Sequence, residues 1–140
     1  MRVRCISKQG ELLTKEYIDP RVNITKETDF RLTRGKEYVV YALGIRRDQV
    51  WYYVIDDCEL WYPINIPAPL FKVVDDRVSQ FWRVKLTPKN PDHDVLLAFE
   101  EWDSDDLFYG RLTDRCPSEV AVFKARRLRM DQEFEEVGKA

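Results

Sequence analysis

Tyr38-Val39-Val40-Tyr41-Ala42-Leu43-Gly44-Ile45, then the polar Arg46-Arg47-Asp48-Gln49, then Val50-Trp51-Tyr52-Tyr53-Val54-Ile55, is the stretch that decides the fold. Both flanks are rich in β-branched and aromatic residues and almost wholly apolar, as expected of strands covered on both faces. The polar tetrad between them closes a hairpin. Alternation sends Trp51 and Tyr53 to one face and Tyr52 to the other.

Working outward, residues 2–7 alternate, with Val3, Cys5 and Ser7 on one side, so the chain opens on a strand. Arg34-Gly35-Lys36 is a turn whose glycine supplies a positive φ. Downstream, Leu60 to Ile66 reads as a short strand confined to an edge or bulge by Pro63, Pro67 and Pro69. Residues 71–74 and 81–86 complete a meander. The texture changes after Leu86. Asn90-Pro91 is a helix start, and Val95, Leu96, Phe99 and Trp102 follow at helical spacing. Ser104 can cap a second short helix holding Leu107, Phe108, Arg111 and Leu112. Pro117-Ser118-Glu119 opens a third, reaching to about Glu135, with Val120, Phe123, Leu128, Met130, Phe134 and Val137 as its apolar stripe. The expected fold is α+β in one domain over residues 1–140. It has a small bent antiparallel sheet or SH3-like barrel over about residues 1–86 and a helical part over about residues 90–136.

The composition, 44% hydrophobic and 34% charged over 140 residues, supports one well-hydrated core and excludes a disordered chain. No window approaches the roughly 18 apolar residues that span a bilayer, so no membrane is expected. No apolar run follows the basic Arg2 and Arg4, so no secretory leader is expected either. Cys5, Cys58 and Cys116 are scattered and odd in number, which argues against a disulfide framework and places the chain in a reducing cytoplasm. The net charge of −2 conceals an asymmetry: residues 1–86 carry +3 and residues 87–140 carry −5. Asp92, Asp94, Glu100, Glu101, Asp103, Asp105, Asp106 and Asp114 concentrate the acidity, which attracts basic partners.

Catalytic apparatus is missing from the pattern. His93 is the only histidine and no two cysteines are close, so no metal site is expected. Cys5 and Cys58 read as small buried residues rather than nucleophiles. Gly35-Lys36 lacks the rest of a phosphate loop, and no cofactor is expected. The doublets Asp56-Asp57, Asp75-Asp76, Glu100-Glu101 and Asp105-Asp106 cannot form an acid–base pair alone, because adjacent residues diverge; the first two most simply make turns. Two features do suit recognition. Aromatic residues crowd between Trp51 and Trp82, and exposed Trp and Tyr anchor interfaces. Lys124, Arg126, Arg127 and Arg129 give the last helix a basic segment. Its nearby Asp131, Glu133, Glu135 and Glu136 favour ion pairs along the helix, and the segment can also dock on the acidic residues 100–106.

The pattern L-x-x-G-K-x-Y-x-V from Leu32 to Val40, with Asp56-Asp57, Phe71-Lys72-Val73-Val74-Asp75 and Trp82, resembles small bacterial proteins with an SH3-like β-half. Phe99-Glu100-Glu101-Trp102, Phe108-Tyr109-Gly110-Arg111-Leu112 and Asp131-Gln132-Glu133-Phe134 resemble small immunity proteins encoded beside polymorphic or contact-dependent growth-inhibition toxins. That resemblance implies a protein that binds and occludes a cognate toxin domain, often a basic nuclease, through an acidic surface. It carries over no individual binding residue. The expected function is therefore a protein-binding module, not an enzyme. Its charge partners would be Glu100, Glu101, Asp103, Asp105 and Asp106, and its aromatic anchors Trp51, Tyr53 and Trp61. A nucleic-acid regulator using Arg126, Arg127 and Arg129 is the first alternative, and an enzyme with an unrecognised carboxylate pair the second.

Overall fold

The structure, a computed structural model, describes residues 1–87 and 93–135. The alternating N-terminus forms β1 (Arg2–Cys5), which is flanked antiparallel by β2 (Glu37–Val39) and by β6 (Phe71–Asp75). A second sheet holds β3 (Ala42–Arg46), β4 (Gln49–Val54), β5 (Ile64–Pro67), β7 (Trp82–Leu86) and β8 (Val95–Phe99) in the order β5-β4-β3-β8-β7, every pairing antiparallel. The sheets stay open and separate, so the fold is α+β without a closed barrel.

The apolar run from Tyr38 to Ile45 is not one strand. Val40 donates its N–H to Met1 of the small sheet at 3.0 Å, whereas Tyr41 donates to Tyr53 of the large one at 2.9 Å. The chain thus changes sheets between these two residues, and its apolar character on both sides reflects two cores rather than one central strand. Val3, Cys5, Tyr38, Leu43, Tyr52 and Val54 fill the space between the sheets. Gly35, at φ 84°, makes the expected turn before β2.

The helix expected from Asn90-Pro91 is corrected. Those two residues lie outside the described ones, and Val95–Phe99 is β8, inserted between β3 and β7. Five consecutive apolar residues satisfy a helical spacing and a strand covered on both faces alike, and here the sheet decides. Leu96 and Ala98 face the helices, while Leu97 packs toward the core between the sheets.

The chain turns helical at α1 (Glu100–Asp103), followed by α2 (Phe108–Thr113) and α3 (Pro117–Glu135). Ser104 closes α1 rather than capping α2. α2 starts after Leu107 without a side-chain cap, and the Asp105 carboxylate accepts the Leu107 N–H at 2.9 Å in the turn between the two helices. In α3 the buried residues are Phe123, Met130 and Phe134. Leu128 leaves the expected stripe and is 61% exposed. At 3.6 residues per turn it lies about 140° round the helix from Phe123. Val137 falls outside the described residues. Cys5 is buried as expected. Cys58 is exposed because it sits in a turn closed by its own N–H on the Asp56 carboxylate.

Candidate functional site

Strand register places the site. On the face toward the helices, Trp51 pairs with Gly44, Gly44 with Leu96, and Leu96 with Lys85. Three side chains and one gap therefore cross four strands in a single row. The gap is Gly44: a Cβ there would meet Tyr53 at 3.7 Å and His93 at 3.8 Å, ordinary contacts, so the position has room for a methyl group that the glycine leaves unfilled. A cavity of about 530 Å³ lies above it, walled by Trp51, Tyr53, Tyr109 and Phe30. A second cavity of about 270 Å³ shares Tyr53, His93 and Tyr109 with the first and runs on to Lys85, Asp105 and Asp106. Together they form one groove, within the size range of ligand sites and with the aromatic lining such sites have.

Each wall is fixed from outside the groove. Tyr53 meets Trp102 edge-on with centroids 5.0 Å apart, and Trp102 stacks on Tyr109 at 5.1 Å. The Tyr109 hydroxyl donates to the Pro63 carbonyl at 2.7 Å, and burial pushes its phenol well above the ordinary value, so it stays neutral. Trp51 leans on Tyr17, centroids 5.4 Å apart, and the Tyr17 hydroxyl accepts the Val50 N–H at 2.8 Å. The remaining wall comes from Val22, Asn23, Ile24 and Phe30. This loop is drawn in by Phe30 N–H on the Lys8 carbonyl at 2.7 Å, and by Gly10, where any Cβ would lie 2.0 Å from the Thr25 oxygen. His93 is half-buried at the groove's waist, its Nδ1 3.1 Å from the Thr87 hydroxyl.

Of the expected anchors, Trp51 and Tyr53 meet in the groove. Trp61 sits elsewhere: its indole N–H donates to the Leu112 carbonyl at 2.8 Å, and Arg115 lies 4.7 Å over its ring. The acidic residues are distributed differently from a bare patch. Glu100 lies 3.7 Å from Arg83, Asp105 lies 3.0 Å from Arg111, and Asp106 pairs with Lys85. Glu101 is gripped by Arg126 through bonds of 2.7 and 3.0 Å. Burial, the largest single influence, would raise the Glu101 carboxyl, but the Arg126 hydrogen bond and charge together with a backbone hydrogen bond outweigh it and hold it below the usual range. Asp103 is half-buried and its Oδ1 has no partner among the described residues. Asp105 and Asp106 alone of this set line the groove, at the end opposite Trp51.

The basic segment of α3 is largely committed to the fold. Arg126 also lies over Phe81 and Phe99, and Arg127 pairs with Asp131 and lies over Tyr41. Lys124 and Arg129 stay exposed without an ion pair among the described residues. The doublets after the strands act as turns. Asp57 accepts from Thr33, Lys36 and Tyr38, and Asp75 is bound by Arg77, which holds its carboxyl at about 2. Among the described residues no group of three or more His, Cys, Asp or Glu could hold a metal ion, and no helix is long and apolar enough to cross a membrane.

Sequence reasoning missed Gly44, Tyr109, Arg46 and the loop at residues 22–30. The lone glycine in an apolar strand was the available signal, because such a glycine marks a bulge or a close approach. No family model matches the chain, and no curated protein or solved structure matches it at a significant level.

Proposed function

We propose that the chain is a protein-binding module whose recognition surface is the aromatic groove with its acidic rim, and that it works as an immunity protein in the cytoplasm, occluding a cognate toxin domain. The observation that carries the reading is the meeting of Trp51, Tyr53 and Tyr109 around an open row of the sheet, with Asp105 and Asp106 at its far end. Rigid aromatic walls supply contact area at small entropic cost, which is how interfaces concentrate their affinity.

The acidic rim fits the same role. Exposed ion pairs contribute about 0–1 kcal/mol, so a basic partner can displace Arg83 and Arg111 from Glu100 and Asp105 at little cost, and Asp106 is itself exposed beside a half-buried Lys85. Glu101 is held more firmly and serves the scaffold. The test is co-purification with the inactivated product of the neighbouring gene, using wild type and the triple variant Glu100→Lys, Asp105→Lys, Asp106→Lys. A one-to-one complex that blocks the partner's activity, and that the triple variant loses, supports the reading. A complex indifferent to the triple variant removes the acidic rim from it, and no complex at all removes the immunity role.

A further inference from the structure

The two ends of the groove differ in charge. The end at Asp105 and Asp106 holds two carboxylates, each answered by a cation of this chain. The larger cavity, by contrast, has no carboxylate in its lining, and the one permanent charge there is Arg46. No carboxylate lies within ion-pair distance of Arg46 among the described residues. Asp19, whose carboxylate feels the Arg46 charge, is already bound by Arg21 at 3.0 Å. Arg46 follows Gly44 by two residues on β3, so both face the groove, about 7 Å apart along the strand. The amides of Asn23 and Asn65 line the same space.

We infer that the Gly44 slot takes an aromatic side chain of the partner protein with a carboxylate beside it, the ring seated on Gly44 between Trp51 and Tyr53 and the carboxylate on Arg46. A ring needs a flat floor and aromatic walls, which a bare glycine between Trp51 and Tyr53 supplies. A planar guanidinium is the group that receives a carboxylate with two parallel hydrogen bonds. A cation at the edge of a cavity whose lining holds no acid favours an anionic occupant over a neutral one. This inference rests on the groove being the recognition surface, and it adds the chemistry of the occupant.

The probes are three capped dipeptides: N-acetyl-Trp-Glu-amide, N-acetyl-Trp-Gln-amide and N-acetyl-Ala-Glu-amide. Each is titrated into isotope-labelled protein while the amides of Gly44 and the indole of Trp51 are followed by NMR. Trp-Glu should saturate these signals and bind at least threefold more tightly than Trp-Gln, and Ala-Glu should not saturate them. Arg46→Gln should bring Trp-Glu down to the affinity of Trp-Gln. Gly44→Val, which fills the slot from an extended backbone position, should abolish both. Arg46 is exposed, so its variant keeps the test alive if Gly44→Val fails to fold. The inference is overturned if no peptide shifts these signals, if Trp-Glu and Trp-Gln bind wild type equally, or if a folded Gly44→Val binds as wild type does. Indole-3-acetate binding a hundredfold more tightly than Trp-Glu would assign the slot to a free aromatic acid instead. Failed peptides alongside a protein partner whose affinity still depends on Trp51 would remove only the occupant and leave the binding surface standing.

Discussion

Replacing Glu101 and Arg126 with alanine, singly and together, isolates the ion pair that ties α3 to α1. The two groups make bonds of 2.7 and 3.0 Å, and their side chains are 37% and 23% exposed. At an effective dielectric of about 20, charges about 4 Å apart attract by about 4 kcal/mol, and much of that is offset by desolvation and side-chain ordering. Fully exposed pairs retain about 0.2–1 kcal/mol, and breaking buried ones costs about 3–5 kcal/mol. A partly exposed bidentate pair belongs between these, so the coupling energy should be about 1–2 kcal/mol. Arg126 further lies 5.5 Å over Phe81 and 5.8 Å over Phe99, contacts that Glu101 does not share. Arg126→Ala should therefore be the costlier single change, by about 0.5–1 kcal/mol. Urea unfolding of the four proteins measures both quantities. With m near 2 kcal/mol/M, the coupling appears as a midpoint shift of about 0.5–1 M beyond additivity. A coupling under about 0.3 kcal/mol, or equal costs for the two single changes, would refute the clamp and return Glu101 to the recognition surface.

Phe123→Ala should cost about 3–5 kcal/mol, because the ring is fully buried beneath the helix-side face of the large sheet, and thermal unfolding measures it. Tyr41→Phe should cost about 1–2 kcal/mol in the same assay, since it removes the 2.6 Å bond to Asp131 and leaves a half-buried carboxylate short of a donor. Asp75, lowered from 3.8 to about 2 mainly by its Arg77 hydrogen bonds, adds stability that is present above pH about 4 and lost as pH falls toward 2. Asp75→Asn should flatten that part of an acid-stability curve, and a curve of unchanged slope would contradict the pairing. Gly44→Ala should leave thermal stability unchanged or raise it by up to about 1 kcal/mol, since glycine in a strand is entropically costly and the new Cβ meets nothing closer than 3.7 Å.

The hairpin of β3 and β4 was legible from its β-branched and aromatic runs on either side of a polar tetrad, and the helix from Pro117 from its proline start and the helical spacing of Phe123, Met130 and Phe134. The β8 helix error arose where five apolar residues satisfy both periods, and only the neighbours β3 and β7 decide between them. The corner at Val40 and Tyr41 was invisible for a related reason: residues buried in two different cores spell the same apolar word as residues buried in one. Trp51 and Tyr53 were found by alternation, since both point to one face. Trp61 was not separable from them, because its direction depends on where β5 begins, at Ile64 rather than Leu60. Glu101 and Asp106 look alike in sequence, and only the approach of Arg126 to one of them makes it scaffold. Arg46 reads as a turn residue until the register sets it beside Gly44.

The central claim, that the groove is the surface through which this protein meets its partner, is tested most directly by titration calorimetry against the inactivated product of the neighbouring gene. Wild type should bind one-to-one, and Trp51→Ala should weaken binding tenfold or more, about 1.4 kcal/mol, with Gly44→Val doing the same from the groove floor. Full affinity in both variants, each with a native spectrum, would place the interface elsewhere and contradict the account.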